Sequence, residues 1–204
     1  MTTPMAPAAS SAAVSPVQVS LDSPLEIDRW RAIINPIMAI PHLIFLYILS
    51  AVLGFITFIA WFSILFTGEY PPGMFDFAVG IMRYQWRVYT FYMFMREPYP
   101  SFTVMGGPDD PGDDPAKFSM PRPQNLSRGL IFIKGILSIP VFFVLFIYGI
   151  GAYISLIIAW FTVLFTGRWP ESQRNYIFKV VRYAYRAMTY YDLMTDVYPG
   201  FSVQ

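Results

Sequence analysis

The stretch Ala60-Trp61-Phe62-Ser63-Ile64-Leu65-Phe66-Thr67-Gly68 recurs almost letter for letter as Ala159-Trp160-Phe161-Thr162-Val163-Leu164-Phe165-Thr166-Gly167. Every residue is displaced by 99 positions, and the same offset continues without a gap from Arg29 to Val104 of the first copy. Self-similarity at a fixed spacing indicates a structural repeat. The chain is therefore a tandem duplication, and a site shared by both copies has to be present twice.

The composition indicates a membrane protein. The chain is 55% hydrophobic and 13% charged, whereas a soluble domain carries about 25% charged residues. Its 14 Lys and Arg residues nearly cancel its 13 Asp and Glu residues, so no nucleic-acid partner is expected. The absence of cysteine excludes disulfides and thiolate chemistry. We therefore expect an all-α integral membrane protein whose solvent is the lipid bilayer.

Each copy begins with a long run without charged side chains, Ala32–Gly68 and Gly135–Gly167. As one helix, about 35 residues would be roughly 50 Å long, which exceeds the ~30 Å hydrocarbon core of a bilayer. Small residues lie near the middle of both runs, at Ser50–Gly54 and Gly149–Gly151, where a tight turn would require them. We therefore predict a helical hairpin in each copy, either transmembrane or re-entrant.

The two predicted hairpins, about 33–67 and 135–166, would leave every charged side chain on one side of the membrane. By the positive-inside rule that side is cytoplasmic, which predicts a multi-pass protein of the cell membrane with both termini in the cytoplasm. A single long span per copy would instead place Arg29 opposite Arg83 and remove the charge asymmetry.

A second helix follows each charge-free run. Thr67-Gly68 and Thr166-Gly167 have the pattern of a helix C-terminus, in which glycine takes the left-handed conformation. The segments of about 74–95 and 174–194 then carry a narrow polar stripe among many aromatic residues. Aromatic rings with one polar tip favour the headgroup level, so we predict amphipathic interfacial helices.

Two segments lack the pattern of a packed core. Residues 1–23 contain no continuous apolar run, and we predict a disordered N-terminal tail. Residues 105–124 are acidic and rich in Pro and Gly, which is typical of a linker. The two repeats themselves are then 24–104 and 125–204.

Two pairs of arginines are the best candidates for a binding site, Arg83 with Arg87 and Arg182 with Arg186. Arginines four positions apart share one helix face and can hold an anionic group. They are candidates for contact with a lipid headgroup or a partner. The alternative is that they face water without forming a site. The only histidine, His42, has no counterpart in the second copy and cannot serve a shared mechanism.

The sequence contains none of the usual enzyme signatures. A Walker loop, a dinucleotide fingerprint, a His-Glu-x-x-His pair and a nucleophile elbow are all missing. One histidine and no cysteine leave no plausible ligand set for zinc, copper or haem. We therefore predict a protein that is not an enzyme and has no cofactor or metal.

The repeated Ala-Trp-Phe-x-x-Leu-Phe-Thr-Gly is followed in both copies by Arg-Tyr-x-x-Arg, and then by Tyr-Pro-x-Phe at 99–102 and 198–201. With these motifs the chain resembles the bacterial membrane family called domain of unknown function 4389, present twice over about 29–104 and 128–203. The resemblance implies a bacterial membrane protein and brings no reaction with it.

Two functions fit this pattern. The first is a scaffold or accessory subunit that docks a membrane-protein partner or forms a homo-oligomer through packing of its helices. The alternative is binding, sensing or transport of an anionic phospholipid through the four arginines. The first is our preferred hypothesis, because small polytopic proteins without polar residues inside the membrane typically associate through packing of their helices.

Overall fold

The computed structural model describes residues 16–203, which form five helices and one two-stranded sheet. The chain is mostly helical and contains two copies of one unit, as the sequence predicts. In order, the elements are β1 (Gln18–Leu21), α1 (Arg31–Met38), α2 (Ile40–Thr67), α3 (Pro72–Tyr92), β2 (Ala116–Ser119), α4 (Leu130–Thr166) and α5 (Glu171–Tyr191).

The predicted hairpins at about 33–67 and 135–166 are wrong, because each charge-free run is helical past its midpoint. Helix α2 continues through Ser50–Gly54, and α4 continues through Gly149–Gly151. Glycine inside a helix costs only about 1 kcal/mol relative to alanine. A turn among apolar residues would instead leave backbone N–H and C=O groups without partners, which costs more.

Proline explains why the first copy has two helices where the second has one. Pro36 and Pro41 both remove a helical N–H, and the chain is interrupted at Ala39, between α1 and α2. Even so, Ala39 keeps a helical conformation, and its N–H donates a hydrogen bond to Asn35 O. Helices α1 and α2 together therefore form a nearly continuous rod, equivalent to α4. The second copy has only Pro140, and α4 passes through it unbroken.

Helices α3 and α5 run antiparallel to the long helices that precede them. The Tyr84 hydroxyl lies 2.5 Å from His42 Nδ1, and the Tyr183 hydroxyl lies 3.5 Å from the carbonyl of the equivalent residue, Val141. Helix α3 is also covered on its other side by the sheet, where the Trp86 indole N–H donates to Ser20 O at 3.0 Å. Since most of α3 is buried, the prediction that it lies in a membrane interface is wrong.

The segment predicted as a linker, 105–124, is packed against α3 and contains β2. Strand β2 pairs antiparallel with β1, with Val19 opposite Phe118. Both of these side chains are buried in the main core. The prediction of a disordered tail is therefore wrong for Gln18–Leu21, while residues 1–15 lie outside the described part of the chain.

The two copies contact each other reciprocally, through residues that are 99 positions apart. The Leu126 N–H donates to Gly68 O, and the Ile27 N–H donates to Gly167 O, both at 2.9 Å. Likewise the Trp160 indole N–H donates to Ala32 O at 2.9 Å. Its equivalent at the other end, Trp61, has its ring 5.3 Å from that of Phe132. The long rods therefore lie antiparallel and touch near both ends, as in a pseudo-two-fold dimer.

Candidate functional site

The first arginine pair lies inside the protein. Arg83 and Arg87 are 1% and 4% exposed. The Asp110 carboxylate lies between them, 3.2 Å from Arg83 Nε and 2.6 Å from Arg87 Nη2. Arg83 also donates to backbone carbonyls of the segment 105–118, including Asp109 O at 2.8 Å and Phe118 O at 3.0 Å. Among the described residues, the hydrogen-bond and ion-pair partners of these two guanidinium groups therefore all come from the connecting segment.

A second carboxylate extends this network. Asp114 lies 3.6 Å from Arg87 Nε and pairs in bidentate fashion with the buried Arg96. Burial lowers the pKa of the Arg83 and Arg96 guanidinium groups, and the carboxylates of Asp110 and Asp114 oppose that shift. The three arginines and two aspartates thus form one charge-paired cluster between α3 and the connecting segment.

This arrangement corrects the sequence-based assignment of Arg83 and Arg87 as contacts for a lipid headgroup or partner. Both guanidinium groups already have carboxylate and carbonyl partners, and neither reaches the surface. A buried arginine that loses its carboxylate leaves an uncompensated charge. Their role is therefore to hold the segment between the repeats onto α3.

The second arginine pair has a different environment, although its residues are equivalent. Arg182 and Arg186 are half-buried. Arg182 stacks over Phe178 at 4.8 Å, and Arg186 lies over Tyr183 at 5.5 Å and donates to Ser202 O at 3.0 Å. Burial is also the main cause that lowers the pKa of Arg186. Within residues 16–203, neither guanidinium has a carboxylate partner within 4.0 Å.

The repeated Thr-Gly turns end the long helices. Gly68 and Gly167 take left-handed conformations, with φ of +81° and +73°. The Thr67 and Thr166 hydroxyls each accept from the backbone N–H two positions on, at 3.1 and 3.2 Å. The glycine carbonyls are then free to accept from the other copy. These turns serve as structural contacts between repeats.

The long helices each leave one face open along their whole length. On α2 and α4 the side chains that face the protein recur at helical spacing, while large apolar residues on the opposite face stay exposed. Exposure reaches 80% at Tyr47 and 69% at Phe165. The open residues of α2 are Ile40, Ile44, Tyr47, Ile48, Val52, Phe55, Phe58, Phe62 and Phe66, and those of α4 include Ile136, Phe143, Phe146, Ile150, Ile154, Ile157, Phe161 and Phe165.

The family is decided by the motifs in these two copies. A model of the family described as a domain of unknown function (DUF4389) matches residues 29–103 and again residues 128–202. The chain belongs to the DUF4389 family. Neither the curated proteins nor the solved structures contain a match to it. The two matches coincide with the two repeats of this DUF4389 protein. Membership of the family assigns no activity to it.

Both long helices of this DUF4389 chain are long and apolar enough to cross a membrane, by length and composition. Charged residues of α5, however, pack beside α4 at some distance from its ends. Tyr183, next to Arg182, contacts α4 between Val141 and Tyr148. At 1.5 Å per residue, that place is more than about 15 Å from either end of α4.

The open faces of α2 and α4 in the DUF4389 protein are turned away from the helices that pack against them. The two rods lie antiparallel and meet at both ends through equivalent residues. Helices α3 and α5 cover their inner faces and touch each other, with the rings of Trp86 and Phe178 5.7 Å apart. On each long helix the open face is therefore opposite to the packed helix, which is α3 for α2 and α5 for α4.

Sequence patterns missed two features of the DUF4389 protein. The first is the pair of aspartates near Arg83 and Arg87, which lie in a segment whose composition predicts a linker. The only signal for them would have been that a buried arginine needs a carboxylate partner. The open stripes could not be separated from the buried ones, because both are apolar. In residues 16–203, no group of three or more His, Cys, Asp or Glu is placed to hold a metal.

Proposed function

We propose that the protein is a non-enzymatic scaffold at a membrane surface. In this arrangement α2 and α4 lie along the plane of the bacterial cell membrane with their open faces in the lipid. The sheet and the segment 105–124 face the aqueous side, where they are available to a membrane-protein partner or a second copy. We take the aqueous side to be the cytoplasm, as the sequence predicts.

The observation that carries this proposal is the position of the charged residues along the rods. If α2 and α4 crossed the bilayer with their middles at its centre, the rods would extend about 13 Å beyond the ~30 Å hydrocarbon core on each side. The contacts of Tyr84 and Tyr183, next to Arg83 and Arg182, are about 16 Å from the nearer rod end, so these arginines would lie within the core. Lys179, which is exposed on α5, would lie there too. Each charged side chain at that depth costs about 2.5–3.5 kcal/mol on insertion scales. Helices parallel to the surface avoid this cost and still cover the apolar stripes with lipid.

The alternative function, binding of an anionic phospholipid through the arginines, is less well supported. Arg83 and Arg87 are buried and neutralised by carboxylates. Arg182 lines a cavity beside Lys117 and Gln18 of the sheet, and α3 lies between this sheet and α2. In the proposed orientation, α3 would therefore separate the cavity from the lipid that covers α2.

Spin labels at different places along α2 test the orientation, and the absence of native cysteine makes the labelling simple. Single cysteines would replace Ile44, Phe55 and Phe66 on the open face, with Lys117→Cys on the sheet as a control. After reconstitution into vesicles, we expect the three open positions to have one common depth and Lys117 to remain in water. A depth that runs from one surface at Ile44 through the core to the other surface at Phe66 would overturn the proposal.

The scaffold role has its own test. Purification in mild detergent, followed by mass spectrometry, should recover a protein partner or a second copy in a fixed ratio. Recovery of a monomer with only anionic lipid would contradict the scaffold role and favour the alternative.

A further inference from the structure

The two copies carry the same Arg-Tyr-x-x-Arg motif, but among residues 16–203 only the first copy has a carboxylate partner for it. In copy 1 the occupant is a piece of peptide that contributes the carboxylates of Asp110 and Asp114, four positions apart. In copy 2 the described residues give Arg186 only the carbonyl of Ser202. Arg186 Nε is buried and has no partner among them. The first copy thus provides an internal example of what this motif binds.

We propose that Arg182 and Arg186 bind an acidic segment of a partner protein, in the way that Arg83 and Arg87 bind the connecting segment. The partner would offer a carboxylate that lies between the two arginines, as Asp110 does in copy 1. The second carboxylate of copy 1, Asp114, pairs mainly with Arg96, and the equivalent residue of copy 2 is Thr195. This inference rests on the proposed scaffold role and adds the chemistry of the partner to it. Planar guanidinium groups favour paired contacts with carboxylates, which makes arginine suitable for such a site.

The surface beside Arg182 has room for such a segment. A cavity of about 690 Å³ lies between α5 and the sheet, with Arg182, Lys117, Gln18 and Asp109 in its walls. Asp110 also lines it, but its carboxylate is already paired with Arg83 and Arg87. The cations of Arg182 and Lys117 therefore face only the exposed carboxylate of Asp109, which leaves the cavity with a net positive charge.

The location of the cavity and the contacts of the arginines in copy 1 both favour a peptide over a lipid headgroup as the occupant. The cavity is formed with β1 and β2, and α3 lies between this sheet and α2. In copy 1, the groups around the arginines are carboxylates and main-chain carbonyls, as a peptide supplies.

A fluorescent peptide with the sequence of residues 106–119 of this chain is the natural probe, because it contains Asp110, the carboxylate that contacts both arginines in copy 1. Its binding to the full-length protein in mild detergent would be measured by fluorescence anisotropy. We expect the wild-type protein to bind it, and the double variant Arg182→Gln/Arg186→Gln to bind it about tenfold more weakly or not at all. A peptide with both Asp110 and Asp114 replaced by Asn should also fail to bind.

The matched control is Lys179→Gln, which removes an exposed cation from the same helix without touching the pair. It should leave the affinity for the peptide unchanged. The inference is overturned if the wild-type protein does not bind the peptide, if the double variant binds it equally well, or if Lys179→Gln weakens binding as much. A double variant that keeps the peptide but loses binding to phosphatidylglycerol vesicles would also overturn it, in favour of a lipid site.

The measurement in detergent requires no bilayer, so its result is independent of the orientation of α2 and α4. Failure of the peptide to bind would leave the depth profile of the spin labels untouched. Circular dichroism of the double variant should match the wild type, since neither arginine has a carboxylate partner within residues 16–203. The two proposals can therefore fail separately.

Discussion

Arg87 donates a 2.6 Å hydrogen bond to Asp110, a residue 23 positions further along the chain, and solvent reaches neither side chain to any extent. Asp110 also accepts from the backbone N–H of Phe118 at 3.1 Å, which fixes the start of the connecting segment relative to its strand. Buried ion pairs of this kind are costly to break, because one charge remains without its partner.

Replacement of Asp110 should therefore destabilise the protein strongly. We expect Asp110→Asn to lower the free energy of unfolding by about 3 kcal/mol or more, since Arg83 and Arg87 would then share a buried site without a carboxylate. Chemical unfolding in detergent, followed by circular dichroism, measures the change. Asp113→Asn is the matched control, because Asp113 is exposed in the same segment, and it should change stability by less than about 0.5 kcal/mol. Equal effects of the two substitutions would contradict the role assigned to Asp110.

Substitution by alanine should have opposite effects on stability at Gly54, which lies inside α2, and at Gly68, which follows its last residue. Gly68 has φ of +81°, so Gly68→Ala should cost about 1–2 kcal/mol of stability. Gly54 lies inside the helix, and a Cβ added there meets nothing within 4 Å. Gly54→Ala should therefore stabilise the protein by up to about 1 kcal/mol. A destabilised Gly54→Ala protein would instead favour a turn at this position, as a hairpin requires.

A charge placed on the open face should weaken attachment to the membrane without unfolding the protein. Phe58 is 61% exposed, and Phe58→Lys removes an apolar side chain whose transfer into lipid is worth about 2 kcal/mol. We expect a lower fraction of the variant to float with zwitterionic vesicles, while its unfolding in detergent stays unchanged. Lys117→Ser on the sheet should float like the wild type. Unfolding of Phe58→Lys would indicate that this face is packed against protein.

Asp192 should make stability depend on pH in an unusual direction. Burial at the end of α5 raises the pKa of this carboxyl from 3.8 to about 7, although the nearby Thr57 hydroxyl opposes the shift. Between about pH 4 and 7 the folded protein then keeps a proton that the unfolded chain releases. The contribution of Asp192 to the free energy of unfolding should therefore fall as the pH rises through that range.

Asp192→Asn removes this dependence. Relative to the wild type, the variant should gain stability as the pH rises from 4 to 7, and the difference should become constant above about pH 7. Unfolding curves of both proteins at several pH values give that difference directly, since contributions from other groups cancel. A difference that does not change with pH would refute the assignment of the raised pKa.

The features that sequence predicts well here are local. The 99-residue repeat, the helices after each charge-free run and the glycine ends at Gly68 and Gly167 all depend on neighbouring residues. The hairpin prediction depended on an assumption about the surroundings, that 35 apolar residues must cross a bilayer. Residues Ser50–Gly54 permit a turn but do not require one. A continuous helix is possible because, in the proposed orientation, lipid covers its open face without the helix crossing the bilayer.

The role of the arginines could not be predicted, because it depends on a contact between distant residues. Arg83 and Arg182 are equivalent in sequence and share the same helix position. Only the fold brings Asp110 to the first of them, through a segment whose glycine, proline and aspartate content is typical of disorder. The burial of Arg83 supplies the reason that this segment is ordered.

The reciprocal bonds of Ile27 to Gly167 and Leu126 to Gly68 mean that each repeat completes the other. A half-length chain holding one repeat would have its helix end and its leading segment both exposed, and each would fit the matching part of an identical chain. Such a half should therefore pair with itself, with the geometry that the full chain builds internally. In this sense the molecule resembles a homodimer whose two subunits have been joined into one polypeptide.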